Sequence, residues 1–266
     1  MSPADQQDID ARIQRYYSEV FDESTRLTTR SPQGPLEFRR TQEIIRGRVP
    51  VGRVVDIGGG AGLHAKALQD AGYRVELVEP VQRHIDVALA AGVSAQLGDA
   101  RSLPFGDQSF DAALLLGPLY HLASLEDRLM ALREAGRVVK PGGFVLAAGL
   151  SRYVAFGAAS LGSRIPSPLP NEWAALISDG APTSSLRFPA GHFHTAEELA
   201  DELDAAGLEM LEVFGVEGPA GLFLEVEKEV DSAVHDAALI LARAAAAVPG
   251  IRDQSAHLLG VARRSR

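Results

Sequence analysis

The stretch Val54–Gly62, VVDIGGGAG, decides the fold. An apolar run ends in an acid and breaks into glycines, and LHAKALQDAG follows with helical spacing. A strand that turns through glycines into a helix lets a ligand approach the backbone closely. No Gly-Lys-Ser/Thr follows, so this is not a phosphate-binding P-loop. A dinucleotide stays open on these residues alone: GAGLHA from Gly60 fits that motif with alanine as its last small residue. Glu79, about 20 residues on, would hold ribose hydroxyls under either reading.

Downstream, strands and helices alternate. RVELVEP leads to the helix QRHIDVALAAG, and SAQLGD is a short strand. FDAALLLG is continuously apolar, as in a strand buried on both faces. The helix SLEDRLMALREAGRVV follows, with Ser124 as N-cap and Glu126 and Asp127 at the positive end of its dipole. Pro141-Gly142-Gly143 turns into the strand FVLAAGL. This alternation implies a parallel sheet with helices on both faces.

Upstream, Ile9, Ile13, Tyr16 or Tyr17, and Val20 fall at helical spacing, and Pro35 opens a second helix that ends at Pro50 and Gly52. From Ser151 to about His194 the pattern lapses into a proline- and serine-rich stretch, read as an inserted cap. Then come the helix TAEELADELDAAG with a Thr195–Glu198 capping box, the strand LEMLEVFGV, a long helix from EVEKEV to Pro249-Gly250, and a last strand AHLLGVARR.

The whole chain bounds the reading. Its 266 residues suit one α/β domain with additions, and 46% hydrophobic content supports a core. A net charge of −9 disfavours a nucleic-acid partner. There is no cysteine, which excludes disulfides and thiolate sites and fits a cytoplasmic location. No apolar run approaches a membrane span of about 20 residues, and the polar opening MSPADQQDID is not read as a signal peptide.

In order and spacing, the glycine loop, Glu79, GDARSLPF, FDAALLLGPLYHL and VVKPGG closely resemble the class I S-adenosylmethionine-dependent methyltransferases. The resemblance covers roughly Arg53 to Leu150, and more weakly the segment from Thr195 to the final strand. It implies a Rossmann-like, doubly wound α/β sheet of seven strands with the last antiparallel. Residues 51–150 and 195–266 would form the core, 1–50 a helical segment over the cofactor, and 151–194 the cap. It implies S-adenosylmethionine as cofactor and S-adenosylhomocysteine as product. Asp56, Gly58, Gly59 and Gly60 would shape the turn under the methionine and ribose, Glu79 take the ribose hydroxyls, and Asp99 and Ala100 the adenine. Leu116 and Gly117 would line the floor near the sulfonium. Tyr17 would cover the methionine, and Arg40 pair with its carboxylate. The long alanine-rich helix before the last strand departs from the family's usual tight hairpin there, which leaves the final register open.

Tyr120 and His121 follow the fourth strand where the methyl would point, so they are the candidate catalytic groups, His121 as proton acceptor. Methyl transfer can also proceed by positioning alone. His192 and His194 are read as substrate contacts rather than a metal pair, since no third ligand lies nearby in sequence, and no metal is expected. Trp173 is a substrate wall or an apolar anchor. His64 and His84 are read as surface or packing residues on outer helices. Apolar cap residues (Tyr153, Phe156, Trp173, Phe188, Phe193) point to a small organic acceptor, with a peptide as second choice. An NAD-dependent oxidoreductase is a rival reading, although no Tyr-x-x-x-Lys pair is present. A non-catalytic nucleoside-binding module is another. Neither oligomeric state nor membrane partner is indicated.

Overall fold

The computed structural model describes residues 6–20, 23–153, 171–182 and 188–265. Seven strands form one sheet in the order β3-β2-β1-β4-β5-β7-β6. They are β1 (Arg53–Ile57), β2 (Arg74–Glu79), β3 (Ser94–Leu97), β4 (Phe110–Leu115), β5 (Val139–Leu150), β6 (Leu208–Gly215) and β7 (His257–Arg264). Strands β1 to β5 pair in parallel, and β7 runs antiparallel to both β5 and β6. The register left open by the sequence is Leu208↔Arg264 to Gly215↔Leu258, with an irregularity between Met210 and Glu212.

Side-chain alternation divides the core between the two faces. Val55, Ile57, Ala113, Leu115, Val145 and Ala147 face one way. They pack on Leu132 and Ala135 of α6 (Leu125–Val138) and on Leu199 and Leu203 of α8 (Ala196–Ala205). Val54, Leu77, Ala112, Leu114 and Leu146 face the other way. They meet Ile45 of α3 (Gln33–Arg48), Leu68 of α4 (Leu63–Asp70) and Ala88 of α5 (Gln82–Ala90). Each fully buried leucine contributes about 2 kcal/mol of apolar burial.

Local signals place several boundaries. Ser124 accepts a hydrogen bond from the Asp127 amide at the start of α6, and Thr195 and Glu198 form the expected capping box on α8. Helix α3 begins two residues before Pro35, which sits in its first turn, where a missing N–H costs nothing.

Two expectations need correction. The segment before β7 is not one long helix. It divides into α9 (Gly221–Val226) and α10 (Ser232–Ala245), because Asp231 accepts from the Val234 amide and starts a new helix. Leu224 of α9 and Leu239 and Ala242 of α10 bury against Leu36 of α3, so this departure from a tight hairpin braces the N-terminal side. The N-terminal helix α1 (Gln6–Arg15) also stops short, and Tyr16–Val20 form a π-helical turn before α2 (Glu23–Arg26).

The inserted segment leaves and returns at one point. Ser151 is bridged to His194, and Arg152 donates to the carbonyls of Ser178 and Phe193. Helix α7 (Asn171–Asp179) packs through Leu176 on Ala190 and Phe193. Phe156 lies outside the described residues. No helix of the described residues is long and apolar enough to cross a membrane.

Candidate active site

Between β1 and β4 the strand order reverses, because the chain moves outward to β2 and β3 and then returns. Such switch points open a crevice at the carboxyl ends of the strands. A cavity of about 420 Å³ lies there, lined by the glycine loop, the ends of β2 and β4, and the N-terminal helix.

The loop geometry explains its glycines. Gly58 has φ +67°, and a Cβ on it would come within 2.8 Å of Pro118. A Cβ on Gly59 would come within 2.5 Å of the Asp56 Oδ2. Glu79, at the end of β2, binds the loop directly: its Oε2 accepts from the Gly60 amide at 3.1 Å, and its Oε1 from the Val81 amide at 3.2 Å. His84 Nδ1 lies 3.1 Å from Oε1. Asp56 is fully buried, and neither of its oxygens has a hydrogen-bond partner. Burial, and then the charge of Glu79, push its carboxyl up to about 7.

Asp99 is held by its neighbour. Its carboxylate accepts from the Arg101 amide at 2.8 Å and from Arg101 Nε at 2.9 Å. Burial alone would raise its pKa, but these bonds and the Arg101 charge bring it below the ordinary value. Arg101 also reaches Asp10 of α1 at 3.0 Å. The N-terminal helix is thereby fastened to the Asp99 side of the cavity.

His121 and Tyr120 sit in the 3-10 turn after β4. His121 Nδ1 lies 2.8 Å from the Pro189 carbonyl, and Nε2 lies 3.2 Å from the Tyr17 hydroxyl. Burial pushes its pKa down to about 4, against the raising effects of Pro189, Glu79 and Asp10. The ring is therefore neutral near pH 7. Tyr120 directs its hydroxyl to the Leu116 carbonyl at 3.3 Å.

Of the residues singled out in the sequence, the cavity lining brings together Tyr17, Asp56, Gly58, Gly59, Gly60, Glu79, Asp99, Ala100, Leu116, Gly117, Tyr120 and His121. Arg40 is elsewhere: it is buried and pairs with Glu43 at 2.7 Å. Two other arginines do line the cavity, Arg101 and Arg26. Arg26 is held by both oxygens of Glu37, at 2.7 and 2.8 Å.

His64 and His84 follow the packing alternative of the sequence reading rather than the surface one, and they do more than pack. Both are buried and line the cavity. Gln42 Nε2 lies 3.0 Å from His64 Nδ1, so that nitrogen accepts and Nε2 carries the proton. Burial first, and then the charges of Arg26 and His257, push His64 down to about 4.

Trp173, His192 and His194 do not line the cavity. His194 is fully buried with its Nε2 3.4 Å from Glu202. Glu202 supplies the third group the sequence did not reveal: ligand atoms of His192, His194 and Glu202 lie within 4.8 Å of one another. The Glu202 carboxylate is gripped by Arg128 at 2.7 to 3.0 Å, and that positive charge opposes a cation. These residues fasten the base of the inserted segment.

Residues 55–147 match the family model of the methyltransferase domain. The chain thus carries a methyltransferase domain, on a fold it shares with S-adenosylmethionine-dependent methyltransferases. The methyltransferase domain also aligns with a ubiquinone biosynthesis O-methyltransferase of Azorhizobium caulinodans, 32% identical over 171 residues, covering 62% of this chain and 61% of that protein. A probable tRNA methyltransferase 9B of Mus musculus is 31% identical over 105 residues, 39% of this chain. This chain spans only 23% of that relative's length. Among solved structures, an S-adenosylmethionine-dependent methyltransferase and possible histamine N-methyltransferase of Thermotoga maritima superposes with a TM-score of 0.61 at 21% identity. That match covers 96% of this chain and 99% of the other.

Proposed function

We propose that the chain moves a methyl group from S-adenosylmethionine to an oxygen or nitrogen of a small organic acceptor by direct displacement. One observation carries the reading: one cavity is lined both by the glycine loop, Glu79 and Asp99 and by Tyr120 and His121. The residues fit the cofactor. The buried, unpartnered Asp56 offers a seat for an ammonium group, and Arg26 and the protonated nitrogen of His64 offer one for a carboxylate. Glu79 Oε2, which accepts only from the Gly60 amide among the described residues, has a lone pair left for a ribose hydroxyl. No lysine lines the loop, consistent with a ligand that has no phosphates.

When bound, the cofactor supplies a methyl group on a positively charged sulfur, ready for displacement. The chain's own part is to hold the acceptor in line, exclude water beneath α1, and receive a proton at His121 Nε2. The Azorhizobium relative's name supports an oxygen acceptor. The mouse relative's name points to tRNA, but a net charge of −9 weighs against binding a phosphate backbone. The lack of cysteine fits a cytoplasmic location.

Parallel calorimetric titration with S-adenosylmethionine, S-adenosylhomocysteine and NADH tests the reading. Micromolar binding of the first two without NADH is expected, followed by turnover in a panel of acceptors with labelled methyl donor. Binding of NADH alone would return the glycine loop to the dinucleotide reading.

A further inference from the structure

Both nitrogens of His121 are committed. The Pro189 carbonyl can only accept, so Nδ1 carries the ring proton and Nε2 presents a lone pair. The Tyr17 hydroxyl donates to that lone pair at 3.2 Å. The Tyr17 ring stands edge-on to His121, with centroids 5.7 Å apart at 87°. Tyr120 and Phe188 flank the imidazole at 4.9 and 5.0 Å.

This surrounding is aromatic and uncharged. The carboxylates that act on His121 through space, Glu79 and Asp10, are already engaged: Glu79 by the Gly60 and Val81 amides, Asp10 by Gln6 and Arg101. An ammonium acceptor finds no carboxylate in contact with the His121 ring among these neighbours. A flat ring bearing a hydroxyl, in the place of Tyr17, finds two aromatic walls, Tyr120 and Phe188, and a base. The chain itself supplies such a group, because Tyr17 is a phenol.

We propose that the acceptor is of the phenol class, an aromatic ring with a neutral hydroxyl, and that its hydroxyl takes over the bond Tyr17 makes to His121 Nε2. The proposal rests on the methyl-transfer reading above. Tyr17 lies in the π-helical turn that follows α1. Such turns interrupt the regular helical ladder and recur at functional sites, so Tyr17 can leave without breaking α1.

In the transfer, the acceptor oxygen forms a bond to the methyl carbon. The carbon–sulfur bond breaks with its electron pair staying on sulfur, and the hydroxyl proton passes to Nε2. Burial keeps His121 too weak a base to ionise a free phenol, whose pKa is about 10. It receives the proton once bond formation has made the oxygen strongly acidic.

The test uses fluorine NMR on the full chain saturated with S-adenosylhomocysteine, with 4-fluorophenol, fluorobenzene and 4-fluorobenzylamine as probes. The phenol should bind about tenfold tighter than either of the others, the worth of one good hydrogen bond. Tyr17→Phe should tighten phenol binding by about threefold or more by removing the internal competitor. His121→Asn should erase the advantage of phenol over fluorobenzene. Tighter binding of the amine overturns the proposal, and so does phenol binding that Tyr17→Phe weakens or leaves unchanged. If S-adenosylhomocysteine binds but 4-fluorophenol does not, the acceptor class is wrong and the methyl-transfer reading stands. If S-adenosylhomocysteine itself does not bind, both fall.

Discussion

Strand β1 and helix α1 both reach the cavity, and they are held by different physics. The side chains of β1 are locked on both faces: Val54, Val55 and Ile57 are completely buried in the two core clusters. Of α1, Ile9 is buried and Ile13 half-buried, and much of its hold is polar. Gln6 donates to the His121 carbonyl and accepts from the Ala123 amide. Asp10 meets Arg101, and Gln14 donates to the Pro80 carbonyl at 2.7 Å. One turn further on, the Ser18 carbonyl accepts from Arg83. The three α1 side chains, Gln6, Asp10 and Gln14, recur every fourth residue, so they form one stripe along the helix. Each such bond is worth about 1 kcal/mol net, because water competes for it. The floor of the cavity is therefore set by folding, and its cover by a row of small, separable contacts.

The contrast can be attacked from its strong side first. Leu146→Ala, at a fully buried position of β5, should cost about 3 kcal/mol of stability in urea unfolding. A loss well under 1 kcal/mol would mean the floor is not the rigid half. Glu79→Gln should leave the unfolding midpoint nearly in place but weaken S-adenosylhomocysteine by more than about tenfold in calorimetry, since it removes a charged acceptor at the loop. Unchanged affinity would separate the loop from the ligand.

Asp56→Asn gives a smaller effect that depends on pH. Between its ordinary value of 3.8 and about 7, the folded protein keeps a proton on Asp56 that the unfolded chain has released. Wild-type stability from this group therefore falls as pH rises through that window, and the penalty is complete above it. Without ligand, the variant should melt a few degrees above wild type at about pH 8 and show no such gain at about pH 4. The same gain at both would remove the carboxyl from the account.

The smallest expected change is in Gln14→Ala. Its stability should shift by less than about 1 kcal/mol, while S-adenosylhomocysteine should dissociate faster in stopped flow. An unchanged rate would mean that α1 does not gate the cavity.

What the sequence disclosed, and what it withheld, follows the same division. The strand–loop–helix signal at Val54–Gly62, the acid ending β2 and the apolar run of β4 are local patterns, and the structure gathers them around one crevice. Arg26 escaped notice, and His64 was read only as a surface or packing residue, because their roles depend on partners on a neighbouring helix: Glu37 and Gln42 on α3. A histidine at the start of α4 reads as an outer residue until α3 is laid over it. The stripe Gln6, Asp10, Gln14 was present in the sequence, but polar residues at helical spacing ordinarily mark a face turned to water. The break between α9 and α10 was legible in principle, through Asp231 as an N-cap ahead of an apolar run.

The position of β7 has a consequence for synthesis. It follows β6 in the chain yet lies between β5 and β6, bonded to both. Until residues 257–264 have emerged from the ribosome, β5 keeps an open, apolar edge and β6 has no neighbour on that side. A nascent chain in that state can hold the cofactor half of the crevice while still offering an edge to other strands. Completion of this sheet is thus a late event, and chaperone dependence should be concentrated in the interval before β7 inserts.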